Sequence, residues 1–126
     1  MGFCHCGIGK SYDACCGRCH SGLEGAANAE LLMRSRYSAY VLSLEDYLLA
    51  TWHASTRPAS LDFSDSGKTK WLGLEVKRHA GIDANRAQVE FVARYKTGGM
   101  SAVRLHEISD FVFEDGQWFY VSGVFP

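Results

Sequence analysis

The chain has 126 residues, 47% of them hydrophobic and 21% charged, and 13 Lys and Arg against 14 Asp and Glu give a net charge of −1. That length suits one core, and the composition is too apolar for a disordered chain and lacks the basic excess of a nucleic-acid binder. Apolar runs such as YVL and YLLA are far too short to span a membrane, and the opening MGFCHCG has neither the charged nor the apolar stretch of an export signal. The expectation is a cytoplasmic protein with no membrane partner.

The first predicted element is CHCGIGKSYDACCGRCH, residues 4–20, which holds all five cysteines. In a reducing compartment such a cluster reads as metal ligands or redox groups rather than disulfides, and the odd count agrees. Zinc takes four ligands in a tetrahedron, usually two short pairs on separate loops. Cys4 and Cys6 supply one pair and Cys15 and Cys16 the other. Gly7 and Gly9 can take positive φ and let the chain wrap round an ion. Lys10 and Arg18 sit where they offset the charge of four thiolates. Cys19 and His20 are two further possible ligands. The competing chemistry is thiol exchange at CGRC, Cys16 to Cys19. Such motifs normally follow a strand and open a helix, whereas here no strand precedes and SGLEGAAN is expected to delay the helix. Four cysteines would close the metal shell and leave no place for a reacting water, so the zinc is expected to be structural.

Cys4, Cys6, Gly7, Gly9, Lys10, Tyr12, Cys15 and Cys16 resemble the SEC-C zinc motif, found at the C-terminus of the SecA translocation ATPase and in many small bacterial proteins. His5 and Ile8 depart from the Pro and Ser common in that motif, and neither is a ligand. The similar SecA segment is associated with a chaperone and the ribosome. The resemblance therefore implies a protein partner linked to secretion or to the ribosome. Nucleic acid is not expected at the rest of the chain; only the N-terminal third, with Lys10, Arg18, Arg34 and Arg36, gathers positive charge that would suit it at this segment.

NAELLMRSRYSAYVLS predicts a helix capped by Asn28, with Ala29, Leu32, Met33, Tyr37, Tyr40, Val41 and Leu44 on one stripe. Ser43 reads as the cap of a second helix, LEDYLLATWH, with Glu45 and Asp46 in its first turn. Pro58 ends the helical part, and DFSDSGKTK is polar and turn-rich. From Trp71 the period is two. WLGLEVKRH alternates Leu72, Leu74 and Val76; AQVEFVARYK alternates Val89, Phe91, Ala93 and Tyr95; SAVRLHEISDFVFED carries Val103, Leu105 and then Glu107; QWFYVSGVF is an aromatic last strand. TGG and EDGQ are hairpin signals. The predicted fold is α+β, an N-terminal zinc knuckle followed by helices on a curved antiparallel sheet.

LLMRSRYSAYVLSLEDYLLATWH, VEFVARYKTGG and RLHEISDFVFEDGQWFYVSG resemble the bacterial YchJ family over nearly the whole chain. That resemblance implies a SEC-C-like segment over 1–27 joined to a cystatin/nuclear-transport-factor-like cone over 28–126, and no established activity.

Charged groups on apolar stripes mark candidate sites. Glu107 shares a strand face with Val103 and Leu105, and Arg36 lies between Met33 and Tyr40. The expectation is that Arg36 and Glu107 approach each other between helix and sheet, with Trp52 and His53 completing a polar pocket and Arg94 and His106 on the opposite sheet face. The plainer alternatives are a solvated Glu107, a His53 that simply suits a helix C-terminus, and an RSR that forms a solvated helix edge. Three functions follow: an adaptor or protein-interaction module with a small-ligand pocket, a small enzyme using Glu107 or His53 as acid or base, and a thiol redox or metal-handling protein.

Overall fold

The structure is a computed structural model and describes residues 4–22, 25–61 and 68–126. The first six residues of DFSDSGKTK, 62–67, lie outside the described residues. Four strands dominate: β1 (Thr69–Asp83), β2 (Arg86–Thr97), β3 (Val103–Glu114) and β4 (Gln117–Val124). They form one antiparallel sheet in the order β1-β2-β3-β4, the meander that the period-two runs predict. At EDGQ the two turn residues Asp115 and Gly116 both have positive φ (53° and 79°), the geometry that a two-residue hairpin needs to match strand twist. At the β1–β2 turn the Asp83 carboxylate accepts from the Asn85 backbone and from Arg86.

Preceding the sheet are α1 (Cys16–His20), α2 (Ala29–Val41) and α3 (Glu45–Ala50). The Asn28 side chain accepts from the Leu31 backbone N–H and caps α2 as its residue type predicts. Ala29, Leu32, Met33 and Tyr37 of α2 bury against Ala87, Val89, Phe91 and Ala93 of β2 and Phe111 of β3. Three register shifts along β1, each a local bend, curl the sheet around that helix. The result is the expected α+β fold of helices on a curved antiparallel sheet.

Several local expectations are corrected. A bulge between Trp71 and Gly73 shifts the alternation of β1 by one residue. Trp71, Leu74 and Val76 therefore pack on the core, while Leu72 is 46% exposed. Likewise Val103 is exposed near the strand end, so the buried face of β3 begins at Leu105. Replacing Leu72 by Asp is expected to change stability by less than about 0.5 kcal/mol, whereas Leu74→Asp costs about 2 kcal/mol or more. Urea unfolding of the two variants separates the cases, and equal losses would place Leu72 in the core.

Ser43 is not a helix cap. It takes a left-handed conformation (φ 57°) just past the end of α2. The Leu44 N–H donates to the Ala39 carbonyl at 2.8 Å and the Ser43 N–H to the Tyr40 carbonyl at 3.3 Å, the paired bonds that close a helix C-terminus. Joining two helices through three residues demands such a reversal. The second helix is also shorter than the sequence pattern suggests. After Ala50 the chain pairs with β4 instead: Tyr120 N–H donates to the Thr51 carbonyl and His53 N–H to the Tyr120 carbonyl. The unpaired edge of β4 offers these bonds, and the end of the helical pattern gives way to them. CGRC, expected to precede any helix, lies within α1 itself.

Candidate functional site

Two places gather chemistry. The first is the cysteine segment. The chain leaves Cys4, passes Gly7 and Gly9 at φ 82° and 93°, and returns so that Cys4 N–H donates to the Lys10 carbonyl at 2.7 Å. A short 3-10 turn, Tyr12–Ala14, then delivers Cys15 and Cys16. The Sγ atoms of Cys4, Cys6, Cys15 and Cys16 all lie within 4.8 Å of one another, with Cys6–Cys15 at 3.5 Å and Cys15–Cys16 at 4.0 Å. Tetrahedral zinc–thiolate bonds of about 2.3 Å place neighbouring sulfurs about 3.8 Å apart, so the four fit one ion with little adjustment. Four sulfur donors suit a soft or borderline metal such as zinc rather than calcium or magnesium. Cys4, Cys6 and Cys16 are almost wholly buried and, with Tyr12 and Cys15, form an interior of their own, separate from the cone's core.

Without a metal, Cys6 is the sulfur that gives up its proton and accepts hydrogen bonds from its neighbours. Hydrogen bonding from Cys16, followed by that from the Ile8 backbone and then Cys15 and Cys4, holds the Cys6 thiol down at about 5 against the opposing effect of burial. Burial, and then the bond to Cys6, pushes Cys15 up to about 12. The bond to Cys6, and then burial, raises Cys16 further. A metal needs thiolates, so loading must expel at least the protons of Cys15 and Cys16. Both stay protonated in the empty site through neutrality, so falling pH weakens metal binding. The apparent affinity is expected to drop about 100-fold per unit between about pH 8 and pH 6. Competition titration with a chromophoric chelator measures that slope. A slope near zero would mean that the cysteines do not give up protons to a metal.

Cys19 and His20 stand apart from the four-sulfur group. The His20 Nε2–H donates to the Ser35 carbonyl at 2.7 Å, and Tyr12 OH donates to Nδ1 at 2.6 Å. Both ring nitrogens are thus engaged, and burial lowers the affinity of the ring for a second proton. His20 is a tether between the segment and α2. Two further tethers join them: Arg34 donates to the Cys6 carbonyl at 2.7 Å, and Cys4 Sγ lies 3.5 Å from Ser38 Oγ. Arg34 also pairs with Glu30 at 3.0 Å, and Arg36 is buried in the cone, so neither adds to an exposed basic patch.

The second place is a cavity of about 240 Å³ between α2 and the concave face of the sheet, and Arg36, Trp52 and Glu107 all line it. Arg36 is 5% exposed. Its guanidinium lies 5.2 Å from the Trp52 ring centre and 4.7 Å from that of Tyr120, and it donates to the Leu48 carbonyl and Thr51 Oγ1, each at 2.7 Å. Burial pulls its acidity upward, and the surrounding tyrosines and Glu107 oppose that shift. Glu107 receives Ser109 Oγ and, at 3.4 Å, Tyr120 OH, both on Oε2. Gly123 makes this possible, because a Cβ built there would overlap the Glu107 carboxylate. Arg36 and Glu107 share the cavity, but no ion pair within 4.0 Å joins them among the described residues; backbone and aromatic partners hold the arginine instead.

His53 is placed elsewhere. It faces away from the cavity, with Nε2 2.9 Å from Glu114 and Nδ1 2.7 Å from Ser55 Oγ. It left the pocket because residues 51–53 pair with β4 rather than continuing α3. His106 pairs with Glu90 at 2.7 Å, and Arg94, on the same face two residues along β2 from Val92, is exposed. Tyr40, Trp71, Ser109 and Tyr120, which also line the cavity, are the site residues that the sequence pattern passed over. The signal for Ser109 was there: it stands two residues after Glu107, a small polar group on an otherwise apolar strand face.

Comparison with known proteins sets this geometry in a family. A family model described as the YchJ middle NTF2-like domain matches residues 28–123. A UPF0225 protein of Xanthomonas campestris pv. campestris is 54% identical over 119 residues, covering 94% of this chain and 92% of that one. A UPF0225 protein of Chromobacterium violaceum is 57% identical over 126 residues, covering 96% and 91%. Among solved structures, a SEC-C motif containing protein from Rhodopseudomonas palustris superposes with a TM-score of 0.86 at 35% identity over 98% of both chains. One from Psychrobacter arcticus gives 0.81 at 31% identity, covering 98% of this chain and 82% of that one. With four clustered cysteines ahead of an NTF2-like cone, and with these relatives matching almost end to end, the chain belongs to the YchJ family of UPF0225 proteins.

Proposed function

We propose that this is a zinc-stabilised binding protein: a structural Zn²⁺ on Cys4, Cys6, Cys15 and Cys16 holds a knuckle that engages a protein partner, and the cone takes a small ligand. The observation that carries this reading is the closed set of four sulfurs, three of them buried, tied to α2 by Arg34, Ser38 and His20. A four-thiolate shell leaves zinc no open position, so the ion organises structure instead of activating water. Residues 7–10 lie exposed at the tip of the knuckle and are what a partner would meet. Lys10 and Arg18 alone are a thin phosphate-binding surface, which favours protein over nucleic acid. Stable thiolates without a disulfide suit a reducing compartment such as the cytoplasm.

The similarity to the SecA segment directs the test to ribosomes and to the secretion machinery. The zinc-loaded protein is expected to co-sediment with purified ribosomes or to be retained by immobilised SecA partners. Chelation abolishes the binding, and Lys10→Glu weakens it about tenfold. Binding that survives chelation would take the knuckle out of the interface. The redox reading fits less well, since Cys16 of CGRC is 3% exposed. The acid–base reading has lost His53 and keeps only Glu107 within the cavity.

A further inference from the structure

We propose that the cone cavity takes a neutral, flat, single-ring ligand carrying a hydrogen-bond donor beside an acceptor, such as a cyclic amide or a phenol. This deepens the reading above, in which the cone holds a small ligand. Size comes first. At about 240 Å³ the cavity exceeds the roughly 150 Å³ known to hold a benzene, leaving room for a ring with a few substituent atoms. Shape is next. Seven of the thirteen lining residues are aromatic, and Trp71 packs edge-on against Tyr37 with centres 5.5 Å apart. Flat walls of this kind favour a flat guest.

Charge decides the class. The lining holds one cation, Arg36, and one anion, Glu107. Their sum is zero, so a charged guest would bring an uncompensated charge into an apolar space and suffer a large desolvation penalty. A neutral guest can use both groups. Its N–H or O–H donates to Glu107 Oε1, since Ser109 and Tyr120 already donate to Oε2. Its carbonyl or hydroxyl oxygen accepts from the Arg36 side of the cavity, where the guanidinium is fixed between Trp52 and Tyr120 and cannot swing away. The acceptor is likewise held in place, on a strand and against Gly123. Preorganised polar groups on rigid elements in an aromatic chamber are the ingredients of a specific small-molecule site.

The test uses the zinc-loaded full chain and four probes of similar size: 2-pyridone, benzene, benzoate and benzylamine. Binding is followed by the indole N–H resonances of Trp52 and Trp71. 2-Pyridone is expected to bind at least tenfold more tightly than benzoate and benzylamine and to move both indole signals. Glu107→Gln weakens 2-pyridone about tenfold and leaves benzene unchanged; Ser109→Ala, a milder change, weakens it less. Preference for benzoate or benzylamine would overturn the neutral class while keeping the cone as a ligand site. Equal binding of benzene and 2-pyridone would show that the polar pair does not select. Silence of both indole signals with every probe would overturn the site altogether, and with it the small-ligand part of the proposed function.

Discussion

Removing the metal is expected to unfold residues 4–22 while the cone stays folded. Among the described residues the knuckle's apolar interior is its cysteines and Tyr12, and the few hydrogen bonds to α2 are too little to offset its chain entropy. Zinc binding to small structural sites is worth about 10–16 kcal/mol at neutral pH, comparable with the whole stability of a small domain. The core of α2, β2 and β3, by contrast, contains no cysteine. Amide spectra should therefore show the signals of residues 4–22 collapsing on chelation, while Leu32, Val89 and Phe111 keep theirs. The face of α2 that loses the Arg34–Cys6 and His20–Ser35 bonds should exchange its amides faster. Cys16→Ser should mimic chelation, and Cys19→Ser should not, since Cys19 is outside the four-sulfur group. A knuckle that keeps its spectrum without metal would mean that packing alone holds it.

Arg36→Ala is the second large effect. The substitution removes a buried guanidinium from between two rings, and each such contact is worth about 0.5–2 kcal/mol. It also strips the Leu48 carbonyl of a donor and enlarges the cavity beside Met33 and Tyr37. Thr51 Oγ1 still reaches that carbonyl at 3.3 Å, so what is lost is one hydrogen bond from a charged donor, about 1.5–3 kcal/mol. These contributions overlap, and a loss of about 3–5 kcal/mol is expected. Arg36→Lys should recover little of it, because an ammonium cannot reproduce the planar fork that reaches Leu48 and Thr51 while stacking on aromatic faces. Arg86→Ala is the control: its pair with Asp83 is solvent-exposed and should contribute little measurable stability. Urea denaturation of the three variants orders them. A loss at Arg36 no larger than at Arg86 would show that the buried contacts carry no stability.

Much of this was legible in the sequence because short-range rules governed it. Asn28 caps its helix, EDGQ makes its turn, and the cysteine pairs at Cys4/Cys6 and Cys15/Cys16 converge, since each depends only on neighbouring residues. What was missed depended on tertiary partners. Leu72 faces water because a bulge in β1 shifts the alternation by one. Ser43 leaves the helix through a left-handed turn that satisfies the last carbonyls of α2. His53 misses the cavity because β4 has an edge to be paired, a fact about a strand nearly seventy residues later in the chain. Arg36 and Glu107 do reach one cavity, as their positions on apolar stripes suggested. Trp52 was expected beside them; Tyr120, Ser109 and the Leu48 carbonyl could be named only once helix and sheet were placed together.

The most direct test of the four-cysteine centre is the metal content of the full chain purified under reducing conditions without added metal. Elemental mass spectrometry is expected to find one zinc per chain, retained in Cys19→Ser and lost in Cys6→Ser. Less than a tenth of an equivalent of any metal in the unsubstituted chain, or zinc that survives Cys6→Ser, would contradict a structural zinc on Cys4, Cys6, Cys15 and Cys16.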